Sequence, residues 1–476
     1  MRVITILLSL LLVGADLPLG AGGQQGFFPH TINLSGNLTV ADYERLFERE
    51  FDVPPGTRRI EIEYSYTGAD RRTVIDLGLR GPAGLRGWSG GGKRHIHVSA
   101  LGASQSYLPG PIEPGRWAVI LGVPNVRDGS RDSYTLTVRL FDSDLAPPRL
   151  VVRAAPGWYA GDLHVHSGHS DGRSRSLRGV EIGTPAHRVF DAALAAGLDF
   201  VALTDHNTAS HWLDVERLQP HYDSLLLLHG REVTTYRGHA NTAGETRFDD
   251  FRLSGPSESP ASVLAAIAAT GAFVSINHPT RPDNESCMGC GWNVADAEVM
   301  RHVHGVEVVN GVEPIGPGSG WQYWANLLNA GYRVTAVGGS DEHSLDQPAD
   351  RNVGTPTTVV FARELSEPAI VAGLKSGRVY IRTQGPSGPH VEFSAVAGSI
   401  TYQMGSVIPA GAPASVELTA TLTGAGGQSL EWVRRGAVFA SEPATDGPHR
   451  QRVEATAGDW FALVVRDAAK VPTLIT

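Results

Sequence analysis

The chain has 476 residues, of which 41% are hydrophobic and 19% charged. That balance belongs to a globular protein rather than a disordered one, and the length suits about three domains. A net charge of -9 argues against a general nucleic-acid or anionic-membrane binder, because both need a basic surface.

Residues 1–23 read as a secretory signal. Arg2 supplies the charged start, Ile4 to Val13 an apolar run, and small residues follow at Gly14-Ala15 and at Gly20 to Gly23. The run is too short to span a bilayer comfortably, so cleavage is expected rather than an anchor. No Cys follows to mark a lipoprotein, and no later segment is apolar enough to cross a membrane. A secreted or periplasmic protein without stable membrane insertion is expected.

From 27 to 146 the chain alternates apolar and polar residues over short runs. Ile60 to Tyr64, Thr73 to Leu77, Trp117 to Leu121 and Tyr134 to Val138 are separated by Gly and Pro turns. This pattern predicts a β-sandwich or jelly roll, and Pro147-Pro148 marks its end. From 157 to 386 short apolar strands alternate with helical stretches. A helix starting at Pro185 and stopping at Gly197 leads into the strand Asp199 to Thr204. Ala261 to Thr270 leads into Ala272 to Ile276, the strand Gly305 to Val309 follows, and Gln322 to Asn329 leads into Val334 to Val337. Repeated units of this kind imply parallel strands buried on both faces, and the length is compatible with a (β/α) barrel. From 391 to 476, runs such as Ser415 to Ala420 and Trp460 to Val465 predict a smaller β domain. Cys287 and Cys290 are the only cysteines. One local disulfide is expected, since a zinc knuckle would need two further ligands nearby and no thioredoxin-like context is present.

Residues able to bind metal sit at the end of one predicted strand after another. His164 and His166 are two apart and so share a strand face. Asp171 follows in a turn, then come Asp205-His206, Glu232, His239, Asn277-His278 and the same-face pair Asp341 and His343. Each alone is ordinary: a His near a strand end is usually a surface or hydrogen-bonded residue. Together they predict one cluster of imidazoles and carboxylates, a donor set suited to zinc, manganese or iron. A carboxylate such as Glu232 can bridge two cations, which lower the pKa of a shared water and so provide a bridging hydroxide near neutral pH. Gly87-Trp88-Ser89-Gly90 matches a nucleophile-elbow pattern and Gly87 to Lys93 a phosphate loop, but both lie in a β region with no helix following. His95 and His97 repeat the two-residue spacing without acidic neighbours in sequence and read as a strand face.

The motifs His164-Val165-His166, Ser170-Asp171-Gly172, Thr204-Asp205-His206, Asn277-His278-Pro279 and Asp341-Glu342-His343 resemble those of the PHP (polymerase and histidinol phosphatase) superfamily. Gly238 to Asn241, Val309-Asn310-Gly311, Gly377 to Tyr380 and Arg86 to Gly90 resemble its CehA/McbA-like branch. The resemblance implies a distorted (β/α)7 barrel, flanked here by the two β regions, with two or three divalent metal ions. His164, His166, Glu232 and Asp341 would hold the first, Glu232, His239 and His278 the second, and Asp171, His206 and His343 the third. Many members carry His where Asp171 stands. Glu232, His206 and Asp341 would act on the reaction itself. Arg378 is a candidate for gripping an anionic substrate group, with a helix-end arginine as its ordinary reading. The superfamily implies hydrolysis of a small phosphoester, and the branch implies carbamate or aryl carboxylic esters. A surface-binding protein that has lost its chemistry is the non-enzymatic alternative.

Overall fold

The computed structural model describes residues 28–144, 150–253, 255, 258–285, 287–292, 296–312, 314, 319–346 and 352–476. The signal sequence and Pro147-Pro148 lie outside the described residues. The first eight strands are β1 (His30–Leu38), β2 (Arg45–Val53), β3 (Arg59–Tyr66), β4 (Val74–Gly81), β5 (Gly84–Gly90), β6 (His95–Ser99), β7 (Gly115–Asn125) and β8 (Asp132–Phe141). They form two four-stranded sheets, in the orders β1-β8-β3-β6 and β2-β7-β4-β5. Alternate residues point inward from both: Ile60, Ile62, Leu136 and Val138 meet Ile75, Leu77, Trp117 and Val119 in one core.

The central strands are β9 (Gly157–Val165), a small hairpin β10 (Arg173–Arg175) and β11 (Glu181–Gly183), then β12 (Phe200–Leu203), β13 (Leu226–Thr235) and β14 (Gly238–Ala243). They continue as β15 (Phe273–Ile276), β16 (Gly305–Asn310), β17 (Thr335–Gly339), β18 (Thr357–Ala362) and β19 (Val379–Arg382). Between them run short helices: α1 (Ala186–Ala195), α2 (Trp212–Leu218), α3 (Ala261–Ala268), α4 (Ala297–Met300), α5 (Trp321–Asn329) and α6 (Glu367–Ser376). Helix α1 begins after Pro185, buries Val189, Phe190 and Ala193, and ends before Gly197, whose φ of +79° only glycine adopts freely.

The (β/α)7 barrel expected from the resemblance is not what the chain forms. Of the described residues 44% are in strands and 13% in helices, and the central strands other than the β10-β11 hairpin belong to a 13-stranded mixed sheet. Two local causes are visible. The connection from β13 to β14 is only Tyr236-Arg237, a hairpin turn, whereas a parallel crossover needs a dozen residues or more. Strand β14 therefore runs antiparallel to both β13 and β15. On the other side of β9, β18 pairs antiparallel, and the sheet runs on through β19 instead of closing.

The last strands are β20 (His390–Ala397), β21 (Ile400–Gln403), β22 (Ser415–Thr423), β23 (Ser429–Arg434), β24 (Ala437–Pro443), β25 (Gly447–Glu454), β26 (Phe461–Arg466) and β27 (Pro472–Ile475). β27, β26, β23 and β24 extend the central sheet beyond β19, while β21-β20-β22-β25 covers that extension as a separate sheet. Their shared core joins Val359 and Tyr380 of the central strands to Phe393, Leu418, Trp432 and Leu463.

Strands β9, β12, β13, β15, β16 and β17 all run in one direction. The sheet curls enough that the chain after β17 returns to the end of β9. The amide of Asp341 donates to the His164 carbonyl at 2.8 Å, and that of His166 to the Glu342 carbonyl at 3.0 Å. That curvature is what gathers the strand ends.

Because the C-terminal strands share a sheet with the centre, damage to their core should travel. Trp432 is fully buried there, and Trp432→Ala should cost about 3–5 kcal/mol. Denaturant unfolding followed by far-UV dichroism should show one earlier transition, rather than separate melting of the last 90 or so residues, about the size of a small domain.

Candidate metal centre

The site is built around Glu232, a carboxylate buried in the middle of β13. Its two oxygens face different imidazoles. Oε2 lies 3.4 Å from His164 Nε2, 3.5 Å from His166 Nε2 and 3.0 Å from His206 Nδ1. Oε1 lies 3.2 Å from His239 Nδ1 and 3.4 Å from His278 Nε2. Asn277 Nδ2 donates to the same Oε1 at 2.9 Å and fixes the plane of the carboxylate. Asp341 Oδ1 lies 3.1 Å from His164 Nε2 and 3.3 Å from His166 Nε2. The exposed Asp171 approaches His206 at 3.7 Å and His343 at 3.4 Å. His166 is stacked between the rings of His206 and His343, with centroids 4.5 and 3.9 Å away.

Among the described residues, four groups have ligand atoms all within 4.8 Å of one another: His164, His166 and Glu232; His164, His278 and Asp341; His166, Asp171, His206 and His343; and His239, His278 and Cys290. The polar atoms at their centre are buried and lack hydrogen-bond partners among the described residues: His164 Nε2, both nitrogens of His166, His239 Nδ1 and Glu232 Oε2. Buried polar groups are almost always paired, so unpaired nitrogen and carboxylate atoms that converge fit divalent cations as the missing partner. The chemistry suits zinc, manganese or iron.

The electrostatics concentrate negative charge at the centre. Burial alone would push the Glu232 carboxyl up, but His164, His206 and His239 outweigh it and hold it well below the usual carboxylate range. Asp341 is likewise held well below that range, with His164 and His166 overcoming burial. Burial would lower His164, yet the carboxylates of Asp341, Glu307 and Glu232 raise it well above the ordinary imidazole value. Burial keeps His166 down at about 4, partly opposed by Asp341. Two residues of the cluster hold strained backbone, His278 at φ +27° and Asp341 at φ +54°, and such strain persists where the surroundings over-determine it.

Not every candidate arrives here. Arg378 lies against Phe361, 3.5 Å from its ring centroid, with Glu392 at 3.6 Å. Phe361 pairs with Trp158 at the start of β9, so Arg378 sits at the opposite end of that strand from His164. Among the described residues, Asp205 bonds to serines and approaches His211 rather than the clustered side chains. It accepts from the amide and hydroxyl of both Ser167 and Ser170, and so shapes the turn between His166 and Asp171. Ser89 lies on β5 and bonds to Tyr107 and the Leu77 carbonyl, with no base beside it. His95 and His97 do have acidic neighbours in space. They pair with Glu61 at 3.8 Å and Glu216 at 3.2 Å, and the latter contact ties the first sandwich to α2.

Two further residues emerge only from the structure. Glu307, buried in β16, takes His164 Nδ1 at 2.9 Å, the His278 amide at 2.8 Å and Asn310 Nδ2 at 3.0 Å. It therefore sets the ring orientation of His164 and the backbone of His278. Its signal in the sequence was a lone charge inside an apolar strand, Gly305-Val306-Glu307-Val308-Val309. Arg281 stands at the rim, with its side chain 42% exposed. It donates to Asn310 Oδ1, and its Nη2 lies 3.7 Å from Asp341 Oδ2.

No protein-family model matches the chain, and no curated protein matches it. Among solved structures it is similar to a two-domain protein from Bacteroides vulgatus containing a predicted PHP-like metal-dependent phosphoesterase. Identity is 20%, coverage 70% of this chain and 97% of that one, and the TM-score 0.39. A protein from Bifidobacterium adolescentis described as a metal-dependent phosphoesterase is 17% identical over 39% of this chain and 88% of its own, with a TM-score of 0.28. A periplasmic inhibitor of g-type lysozyme from Aeromonas hydrophila is 12% identical over 24% of this chain and 88% of its own, with a TM-score of 0.16. With likenesses this remote, the arrangement of side chains carries the functional argument.

If Glu307 holds His164 in its ligating orientation, Glu307→Ala should weaken metal retention roughly 10- to 100-fold. Glu307→Gln, which can still accept from Nδ1, should lose less. Metal content after graded chelator challenge reads this directly, and equal retention in all three proteins would refute the role.

Proposed function

We propose that the chain is a metal-dependent hydrolase of small phosphoesters. The single observation behind this reading is the convergence of buried, unpartnered imidazole nitrogens on the two oxygens of Glu232. His164, His166, Glu232 and Asp341 would hold one cation, and Glu232, His239 and His278 a second. His206, His343 and the exposed Asp171 would make a more open third position. Such cations supply Lewis acidity and a water acidic enough to attack an ester near neutral pH.

The residues do the rest. Glu232 and Asp341 stay ionised and supply the negative charge that draws cations in. Asn277 and Glu307 fix the angles of Glu232 and His164. Burial pulls the His206 imidazole down, but Glu232 more than offsets it and raises it above its ordinary value. His206 is partly open to solvent, with Nε2 3.7 Å from Asp171, and so suits a donor position at the rim of the cluster. Arg281 presents a half-exposed guanidinium at the rim, suited to an ester with two or more anionic oxygens. That feature supports phosphoesters over the neutral carbamate and aryl esters implied by the CehA/McbA-like motifs. The N-terminal apolar run supports export. Among the described residues no helix is long and apolar enough to cross a membrane.

The reading predicts turnover of a chromogenic phosphate ester with added manganese or zinc, abolished by Asp341→Ala and by thorough chelation. Undiminished turnover in the metal-stripped protein would overturn it. Arg281→Ala should cost about 1.5–3 kcal/mol in kcat/KM for phosphate esters, the worth of a hydrogen bond to a charged group. Neutral aryl esters should be hardly affected, and steady-state kinetics on both substrates would show an equal loss if Arg281 were only structural.

A further inference from the structure

Residues 287–292 lie against one side of the centre, and two imidazoles lean on them. His239 turns Nδ1 toward Glu232 and donates from Nε2 to the Met288 carbonyl at 3.3 Å. His278 turns Nε2 toward Glu232 and donates from Nδ1 to the Cys290 carbonyl at 3.2 Å. Each ring is thereby held with its N–H outward and its lone pair inward, as a metal ligand requires. Both carbonyls belong to one short loop, and Cys287 and Cys290 close that loop as a disulfide.

The loop is fastened at its edges as well. The Gly289 amide donates to Asp283 Oδ1 at 2.8 Å, the Trp292 amide to the Pro279 carbonyl at 3.0 Å, and the Trp292 indole to the His239 carbonyl at 2.7 Å. Gly289 has φ +78°, and a Cβ there would collide with the Thr235 carbonyl, so the loop backbone lies directly on the hairpin that carries Glu232 and His239. A cross-link between residues three apart removes little freedom from the unfolded chain. Its effect is therefore local, on the direction of the two carbonyls. Cys287 is partly exposed while Cys290 is fully buried, so a reductant meets the pair from the Cys287 side.

We propose that the Cys287–Cys290 disulfide is a redox-sensitive positioning element for the metal position formed by Glu232, His239 and His278. Reduction by a dithiol breaks the S–S bond and leaves two thiols, while the dithiol gives up two electrons and two protons and becomes a disulfide. The loop then relaxes, both rings lose their outward anchor, and metal leaves this position more readily. The proposal rests on the metal-centre reading above.

The test uses the full chain loaded with zinc, in the oxidised form and after treatment with a trialkylphosphine, which takes oxygen from water and becomes the phosphine oxide as the two thiols form. Metal per chain is followed under chelator challenge, alongside thiol titration and far-UV dichroism. The expected result is one class of zinc released roughly 10- to 100-fold more readily after reduction, with secondary structure unchanged. Cys287→Ser should behave like the reduced protein and no longer respond to phosphine. Equal retention in both redox states overturns this proposal and leaves the metal-centre reading standing. An oxidised protein that takes up no metal overturns both. Because Cys290 lies within 4.8 Å of a ligand atom on His239 and on His278, a freed thiolate has an alternative role as a ligand. Tighter retention on reduction, with a thiolate-to-cobalt absorption band in cobalt-loaded Cys287→Ser but not in Cys290→Ser, would overturn the positioning role in favour of that one.

Discussion

A carboxylate in the middle of a buried strand is the constraint around which this molecule is arranged. Glu232 sits where solvent does not reach, and an ionised carboxylate there is very costly unless positive charge and hydrogen bonds surround it. Asn277 supplies one bond, and the rings of His164, His166, His206, His239 and His278 supply the remaining contacts. Imidazoles alone meet this need only by taking up protons, and burial works against that. Cations meet it without that conflict. The same unmet demand for charge explains the unpartnered nitrogens and the binding capacity we propose.

The fold serves this demand by curvature rather than by closing into a regular barrel. His164 and His166 come from the end of β9, Asp341 and His343 from the chain just after β17, and the others from the ends of β12 and β15 and from β13 and β14, so these segments must meet at one place. Gly339 shows how tight the convergence is: a Cβ there would collide with His164 and with the Glu307 carboxylate, so only glycine lets the end of β17 lie against the pair. The next residues, Ser340 and Asp341, continue the contact with β9 through the His164 carbonyl. The backbone is strained at Asp341, and the packing around it offsets that cost.

Much of this was legible in the residues because ligand chemistry leaves a local pattern. Two histidines two apart on a strand face the same way, which is why His164 and His166 stand out in the sequence; Asp341 and His343 instead lie just past β17, where Asp341 has φ +54° and strand alternation does not apply. The helix end at Gly197 was legible for a similarly local reason. What was not legible depends on pairing. The two residues between Thr235 and Gly238 turn β14 back on β13, and the continuation of the sheet past β18 depends on edges meeting far along the chain. Both defeat a reading that assigns βα units in order. The same blindness affected the arginines. Arg378 had the right neighbours in sequence and the wrong end of the strand in space, while Arg281 followed His278 closely enough to share its place.

Burial is graded across the centre, and the gradient gives it a direction. The side chains of His164, His166 and Glu232 are wholly enclosed, whereas His343 is 36% exposed and Asp171 51%. Arg281 opens to solvent on the side of Asp341. An enclosed cation can be held permanently by a full set of protein donors, while one held partly by exposed donors keeps room for water or an ester oxygen. The buried residues therefore suit retention, and the rim formed by Asp171, His206, His343 and Arg281 suits exchange. On another side the disulfide-closed loop and the indole of Trp292 pack against His239 and His278. An anionic ester approaching the rim would meet the guanidinium first and the buried carboxylates last, an order that favours its binding over its repulsion.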